Sequence, residues 1–399
     1  MNGWEKSTIH DGWLDDPGMM SLIPHRPFVY PNPNEYSCYS IEESSSTMQR
    51  SLALNKTRGL LQGSTTRQAS FSQQVQRRVA LTPRTVLKSR ISAMSGQNGG
   101  PQKATLEDKK ALIDKVDCFI FDCDGVIWRG DSVIEGVPET LEYLRSLGKQ
   151  LVFVTNNSTK SRAGYLKKFT GLGLNVNAEE IYSSSYAAAA YLEATNFPKD
   201  KKVYVLGDVG IEEELDLKGI AHMGGPADAD KKVELTPGTY LEHDKDVAAV
   251  VVGFDRNINY HKIQYATLCI RENPGCEFIA TNLDAVTHLT DAQEWAGNGA
   301  MVGAIKGSTK REPTVVGKPA DFMLENIANK FNLKREQICM VGDRLDTDIL
   351  FGKNGGLTTT LVLSGVTTEE QLLSPENSVH PDYYMTKLPE LLEVAKVTV

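Results

Sequence analysis

The stretch CFIFDCDGV, residues 118–126, decides the fold. Four apolar residues in a row are too few for a helix and read as a strand buried on both faces. The strand ends in Asp122, Asp124 and Gly125. Residues two apart on an extended chain project to the same side, so the two acids share one face. At the carboxyl end of a parallel strand that face opens on the crevice where open α/β sheets bind ligands. Two carboxylates held so close are costly unless a cation or separate roles divide them. Gly125 permits a tight turn and lets backbone N–H groups approach a phosphate.

Working outward, apolar runs at 151–154, 181–183, 203–206, 247–252, 277–280, 338–341 and 359–363 read as strands. Helix-period segments at 137–147, 161–172, 186–194, 211–218, 260–272 and 321–331 fall between them. Pro138 near the first turn and Gly148 just past the last residue punctuate the first of these helices. The alternation predicts an α/β chain with a doubly wound, Rossmann-like parallel-sheet core. The rhythm restarts after Phe197-Pro198, and 309–313 is polar. The expected organisation is a core of 107–196 and 312–399, split by a large inserted α/β cap domain at 197–311.

Three more motifs sit at expected strand ends. Thr155-Asn156-Asn157-Ser158 offers a hydroxyl, amides and backbone donors for an oxyanion. Gly317-Lys318-Pro319 places one cation in a constrained loop, and Gly342-Asp343-Arg344-Leu345-Asp346-Thr347-Asp348 adds carboxylates. An all-oxygen cluster without His or Cys suits a hard cation, and few ligands with retained waters suit Mg²⁺. A carboxylate nucleophile, a second carboxyl for proton transfer, a hydroxyl, a lysine and Mg²⁺ are the parts needed to move a phosphoryl group through an aspartyl-phosphate. Other chemistries lack their residues. Segment 297–303 (GNGAMVG) does not have the G-x-G-x-x-G spacing of a dinucleotide loop, and in 303–310 (GAIKGSTK) the lysine does not precede Ser-Thr as a Walker A loop requires. The seven histidines form no HxxxH pair, and there is no GxSxG elbow.

The chain has 399 residues and 43.9 kDa, 40% hydrophobic and 24% charged, enough for two domains with real cores. No run of 18 apolar residues predicts a membrane span, and a net charge of −8 argues against nucleic acid as a partner. Six cysteines without a CxxC pair read as reduced thiols. Residues 1–106 differ from the rest: 12 Lys/Arg against 7 Asp/Glu, with no acid at all from Ser44 to Leu106. That acid-free, Arg- and Ser-rich composition is expected of an organelle transit peptide, with the mature chain starting between Met94 and Lys110. Met48 opens a segment that would itself serve as a conventional leader, whereas the acidic, proline-containing 1–43 fits one less well.

The ordered set FDCDGV, VTNNS, VGKP and GDRLDTDI resembles the haloacid dehalogenase superfamily of phosphatases. The inserted VVGFD, NPGCEFIATNLDA and VGAI are similar to the cap of its branch acting on phosphoglycolate and pyridoxal phosphate, whose plant chloroplast members also carry a leader. The resemblance covers about 110–390 and implies a Mg²⁺-dependent hydrolysis of 2-phosphoglycolate in the chloroplast stroma. The alternatives are pyridoxal phosphate or a broad range of small esters. It implies that Asp122 is the nucleophile and Asp124 the acid, then base. Thr155, Asn156, Asn157 and Lys318 would bind the phosphate. Asp122, the main-chain carbonyl of Asp124, and Asp343 would hold the metal, supported by Gly125 and Asp348. Asp346 is the ambiguous acid of its loop, and His288 and Arg256 are cap candidates for a substrate carboxylate. The cap would close over the site, admit only a small-molecule phosphate ester and support a homodimer. A phospho-accepting signalling module would share the aspartate and sheet but lack the second acid and the insertion.

Overall fold

The computed structural model describes residues 101–290 and 292–397. Seven parallel strands form the larger sheet in the order Gln102–Lys103, Tyr383–Met385, Thr358–Val362, Ile338–Gly342, Cys118–Asp122, Gln150–Thr155, Ile181–Ser183. The chain leaves the central strand Cys118–Asp122 for its neighbour Gln150–Thr155 on one side and returns much later, as Ile338–Gly342, on the other. This reversal is a topological switch point, and it opens a crevice at the carboxyl end of Cys118–Asp122.

Five parallel strands form the smaller sheet in the order Thr314–Val315, Glu277–Ala280, Val247–Val252, Lys202–Leu206, His222–Gly224. Its last strand runs past the boundary at 311 that the polar stretch had suggested. Two antiparallel ribbons complete the strands: Trp128–Arg129 with Ser132–Val133, and Val286–Thr290 with Gln293–Ala296.

Alternation along each strand separates the cores. On the larger sheet Phe119, Phe121, Leu151, Phe153 and Val341 pack into one apolar cluster. Cys118, Ile120, Val152, Val154 and Met340 point the other way. That second cluster is continuous with Val203, Val205, Ala249, Val251 and Ile279 of the smaller sheet. Helix Ser184–Ala194 contributes Ala187, Ala188 and Ala189 to it. Ala187, Ala188 and Ala189 let neighbouring elements come close to that helix, so its alanines reflect burial as much as helix propensity. The far face of the smaller sheet is covered by helices Tyr260–Glu272 and Asn298–Thr309.

Most expected elements occur within a residue or two of their expected ends. Two differences have clear causes. Segment 297–303, weighed only as a glycine-rich loop and given no element, opens helix Asn298–Thr309. Burial of Met301, Val302 and Ile305 against the smaller sheet outweighs the low propensity of its glycines. The folded part also begins before residue 107. Gln102 and Lys103 pair with Tyr383 and Tyr384, and Thr105 and Asp108 form a reciprocal cap on helix Leu106–Lys115. The expectations for residues up to 100, including Met48 and the acidic 1–43, lie outside the described residues.

Candidate active site

Lys318, in the loop after the last strand of the smaller sheet, is 2% exposed and carries its ammonium to the strand tips. Its Nζ lies 2.5 Å from Asp122 Oδ1 and 2.7 Å from Asp348 Oδ1. It also donates to the carbonyl of Val154 at 3.4 Å. Burial opposes the charge, but the two carboxylates outweigh it and hold the lysine well above its ordinary pKa.

Asp343 ends the neighbouring strand and accepts from the Val366 amide at 2.7 Å. Two glycines crowd the same carboxylate. A Cβ on Gly125, whose φ is +83°, would meet Asp343 Oδ2 at 2.5 Å, and one on Gly365 would meet the same oxygen at 1.9 Å. The carboxylate therefore lies in a cradle that only missing side chains leave open.

Ligand oxygens of Asp122, Asp343 and Asp348 all fall within 4.8 Å of one another. Against these three buried carboxylates the cluster sets one ammonium, leaving negative charge in excess. Burial pushes Asp122 well above the usual carboxylate range, Lys318 opposes this, and the acids Asp348, Asp343 and Asp124 add to it. Burial, then Asp348, pushes Asp343 up to about 7. A hard divalent cation would relieve that excess, and the all-oxygen donor set suits one.

Asp124 plays a different part from its neighbours. Its carboxylate is exposed and accepts from the indole Nε1 of Trp128 at 2.8 Å. Cys123 between the acids is buried in the core, and burial raises its thiol well above the ordinary value.

In the loop after Gln150–Thr155 the polar side chains bond largely to the protein itself. Thr155 is buried, with its Oγ1 accepting from the Asn157 amide at 3.2 Å. The Asn156 carboxamide, expected to grip phosphate, is already engaged. Its Oδ1 accepts from the Lys318 amide at 2.8 Å, and its Nδ2 donates to Lys318 O and to Asp284 Oδ1, both at 3.0 Å. Asn157 turns its exposed side chain into its own loop, accepting from the amide and hydroxyl of Thr159 at 2.9 and 2.7 Å. The Asn156 side chain is thus spent on structure, as is the oxygen of Asn157, and what this loop can present to an anion is the Thr155 hydroxyl, the Asn157 Nδ2 group and main-chain amides.

Other candidates separate cleanly. Asp346 is exposed and chelated by Arg344, with N–O distances of 3.1 and 2.9 Å. His288 lies on the exposed ribbon, 4.0 Å from Glu294, and Arg256 is exposed; neither is hydrogen-bonded or ion-paired to the cluster. Sequence reading missed Trp128, Gly365, Asn282 and Asp284. For the last two a signal existed: Thr281-Asn282 ends an apolar strand just as Thr155-Asn156 does. A cavity of about 430 Å³ is walled by Val286 and Glu294 of the ribbon and by Arg344, Leu345, Val366 and Thr367, and none of Asp122, Lys318, Asp343 or Asp348 lines it.

The arrangement is similar to known proteins. The family model described as haloacid dehalogenase-like hydrolase matches residues 119–221, and a HAD-hydrolase-like model matches 315–391. Over 294 residues the chain is 67% identical to phosphoglycolate phosphatase 1A, chloroplastic, of Arabidopsis thaliana, covering 74% of this chain and 81% of that one. It is 56% identical over 295 residues to phosphoglycolate phosphatase 2 of the same plant, covering 74% and 98%. Among solved structures, the p-nitrophenyl phosphatase from Archaeoglobus fulgidus aligns with a TM-score of 0.60 at 32% identity, covering 70% of this chain and 99% of that one.

Proposed function

This chain belongs to the haloacid dehalogenase-like hydrolases, and from that premise we propose that it hydrolyses 2-phosphoglycolate to glycolate and phosphate through an aspartyl-phosphate on Asp122. The observation that carries the chemistry is the meeting of Asp122, Lys318, Asp343 and Asp348 at the switch-point crevice. The substrate rests on the identity to the Arabidopsis enzymes of that name.

Asp122 attacks phosphorus in line and the alkoxide of glycolate leaves. Asp124, exposed at the mouth and oriented by Trp128, gives the alkoxide its proton and later takes one from the water that opens the acyl-phosphate. Lys318 and the Thr155 hydroxyl stabilise charge on the transferring oxygens, together with main-chain amides of the 155–157 loop. Asp122 and Asp343 would hold a Mg²⁺ with the main-chain carbonyl of Asp124, and Asp348 stands within reach of the same point. When bound, the ion neutralises charge so that one carboxylate can approach a phosphate dianion. Gly125 keeps the nucleophile's turn clear of Asp343.

No helix among the described residues is long and apolar enough to cross a membrane. The relative at 67% identity is named chloroplastic, which supports a stromal location for this enzyme.

Comparing kcat/KM over a panel of phosphate esters tests the substrate. The expected result is a clear preference for 2-phosphoglycolate; equal rates on pyridoxal phosphate and unrelated esters would overturn it. Asp122→Asn tests the chemistry, with turnover expected to fall by roughly three orders of magnitude or more. Activity surviving in that variant would place the nucleophile elsewhere.

A further inference from the structure

The carboxamide of Asn156 joins two parts of the molecule far apart in sequence. Its Oδ1 receives the Lys318 amide, and one Nδ2 hydrogen goes to the Lys318 carbonyl. The remaining Nδ2 hydrogen goes to Asp284 Oδ1. An amide has two such hydrogens, so both are committed. Flipping the group would set its NH₂ against the Lys318 amide and its oxygen against both the Lys318 carbonyl and a carboxylate, three repulsions in place of three hydrogen bonds.

Asp284 belongs to the inserted segment, in the loop after strand Glu277–Ala280. Its own loop fixes it: its amide donates to Asn282 Oδ1 at 3.1 Å, and its carbonyl accepts from the Gly299 amide at 2.9 Å. Asn282 reaches the same junction, donating to the main-chain carbonyl of Asn156 at 2.6 Å, where Ser184 Oγ also donates at 2.6 Å. Further along the loop, Ser158 Oγ accepts from the Phe254 amide at 3.3 Å. The phosphate loop is therefore held largely by residues of the insertion.

We propose that Asp284 is a positioning residue for the reaction: acting through Asn156, it fixes the backbone of Lys318 and so sets where the catalytic ammonium sits. The inserted domain then determines the geometry of charge stabilisation as well as access to the crevice. The inference rests on the phosphatase reading above. Displacing a charge-stabilising group by a fraction of an ångström costs rate without changing what the ground state contacts, so the effect belongs in kcat.

The experiment is a double-mutant cycle on 2-phosphoglycolate hydrolysis with Asp284→Ala, Asn156→Ala and the pair. Asp284→Ala is expected to lower kcat about tenfold with KM within about twofold. Asn156→Ala should lower it further, and the pair should be no slower than Asn156→Ala alone, because the aspartate acts only through that amide. Unchanged kcat in Asp284→Ala, an effect confined to KM, or additive losses in the pair would each overturn the proposal. Asp284→Asn keeps the volume and one acceptor oxygen, so its kcat should stay within about threefold. Should the alanine variant not fold, a fall in Asp284→Asn as deep as that of Asn156→Ala decides against the relay. Asp122→Asn, assayed alongside, reports on the phosphatase reading separately: activity there sinks that reading whatever Asp284 does.

Discussion

Asp348 divides its carboxylate between Lys318 and the backbone beside Asp343. Oδ1 receives the Lys318 ammonium at 2.7 Å, while Oδ2 accepts from the amides of Asp343 and Arg344, both at 3.1 Å. One buried side chain thus sets the distance between the Lys318 ammonium and Asp343. Asp348→Asn would keep the shape and lose the charge. Lys318 would then have Asp122 as its one carboxylate partner, which draws Asp122 into a closer pair. We expect kcat/KM to fall about 100-fold and half-saturating Mg²⁺ to rise about tenfold. A Mg²⁺ titration of activity checks both, and wild-type values for both would show that Asp348 is dispensable to the cluster.

The charge excess of the cluster makes stability depend on pH in a defined direction. Burial and Asp348 raise Asp343 from an ordinary 3.8 to about 7 in the folded chain. A raised carboxyl pKa means that the folded state binds the proton more tightly than the unfolded one. The stability this contributes is complete below the unfolded value and is lost as pH rises through about 7. Chelator-treated protein should therefore melt at progressively lower temperature between about pH 4 and pH 7 at this site's expense. Divalent cation needs the ionised carboxylates, so its stabilising shift in Tm should be larger at pH 8 than at pH 5. Melting curves with EDTA and with Mg²⁺ at both values decide the matter. A metal-induced shift that does not grow with pH would mean the ion binds elsewhere.

Much of this site is legible from strand ends. Asp122, Thr155 and Asp343 each follow an apolar run, and a parallel sheet must deliver such residues to one edge. Lys318 stands out as a cation between Gly317 and Pro319. What was not legible is how the polar groups divide their hydrogen bonds. Asn156 meets Lys318 162 positions away and Asp284 128 positions away, and no local pattern encodes such pairings. An asparagine at a strand tip carries the same letter whether it grips a ligand or braces a loop. The cradle around Asp343 was hidden for a related reason. Gly125 was noticed for its turn, whereas Gly365 matters only because a distant strand tip leans on it. The same holds for helix Asn298–Thr309, whose glycines argue for a loop until the sheet it covers is known.

Gly365→Ala tests that cradle. The added methyl would sit 1.9 Å from Asp343 Oδ2 and 2.6 Å from its Cβ, so the carboxylate has to move. Both contacts are far inside van der Waals distance, and the Val366 amide that holds the same oxygen would shift with them. The expected outcome is a folded protein whose Mg²⁺ requirement rises by about tenfold or more, with a corresponding loss of kcat/KM at low Mg²⁺. Excess Mg²⁺ should restore part of the rate. If the variant saturates at wild-type Mg²⁺, the oxygen facing Gly365 takes no part in holding the ion.

The joint between the larger sheet and the insertion makes a final prediction about stability. Arg162, opening helix Arg162–Gly171, chelates Glu214 of helix Val209–Leu217 through Nε at 3.1 Å and a terminal nitrogen at 3.0 Å. Its main-chain amide donates to the same carboxylate at 2.7 Å. Glu214 is 0% exposed and Arg162 only 17%, while Ser161 Oγ binds the adjacent Glu213. A pair this buried adds little net stability compared with a well-packed apolar pair, but removing one partner leaves a charge and an amide without their acceptor. Glu214→Ala should therefore cost about 3 kcal/mol or more in urea unfolding, well above the ~1 kcal/mol of an exposed pair. Because the contact joins helices that flank different sheets, the variant should also unfold over a broader transition than the wild type. A loss under about 1 kcal/mol with one sharp transition would show that the apolar cluster around helix Ser184–Ala194 joins the two sheets without this ion pair.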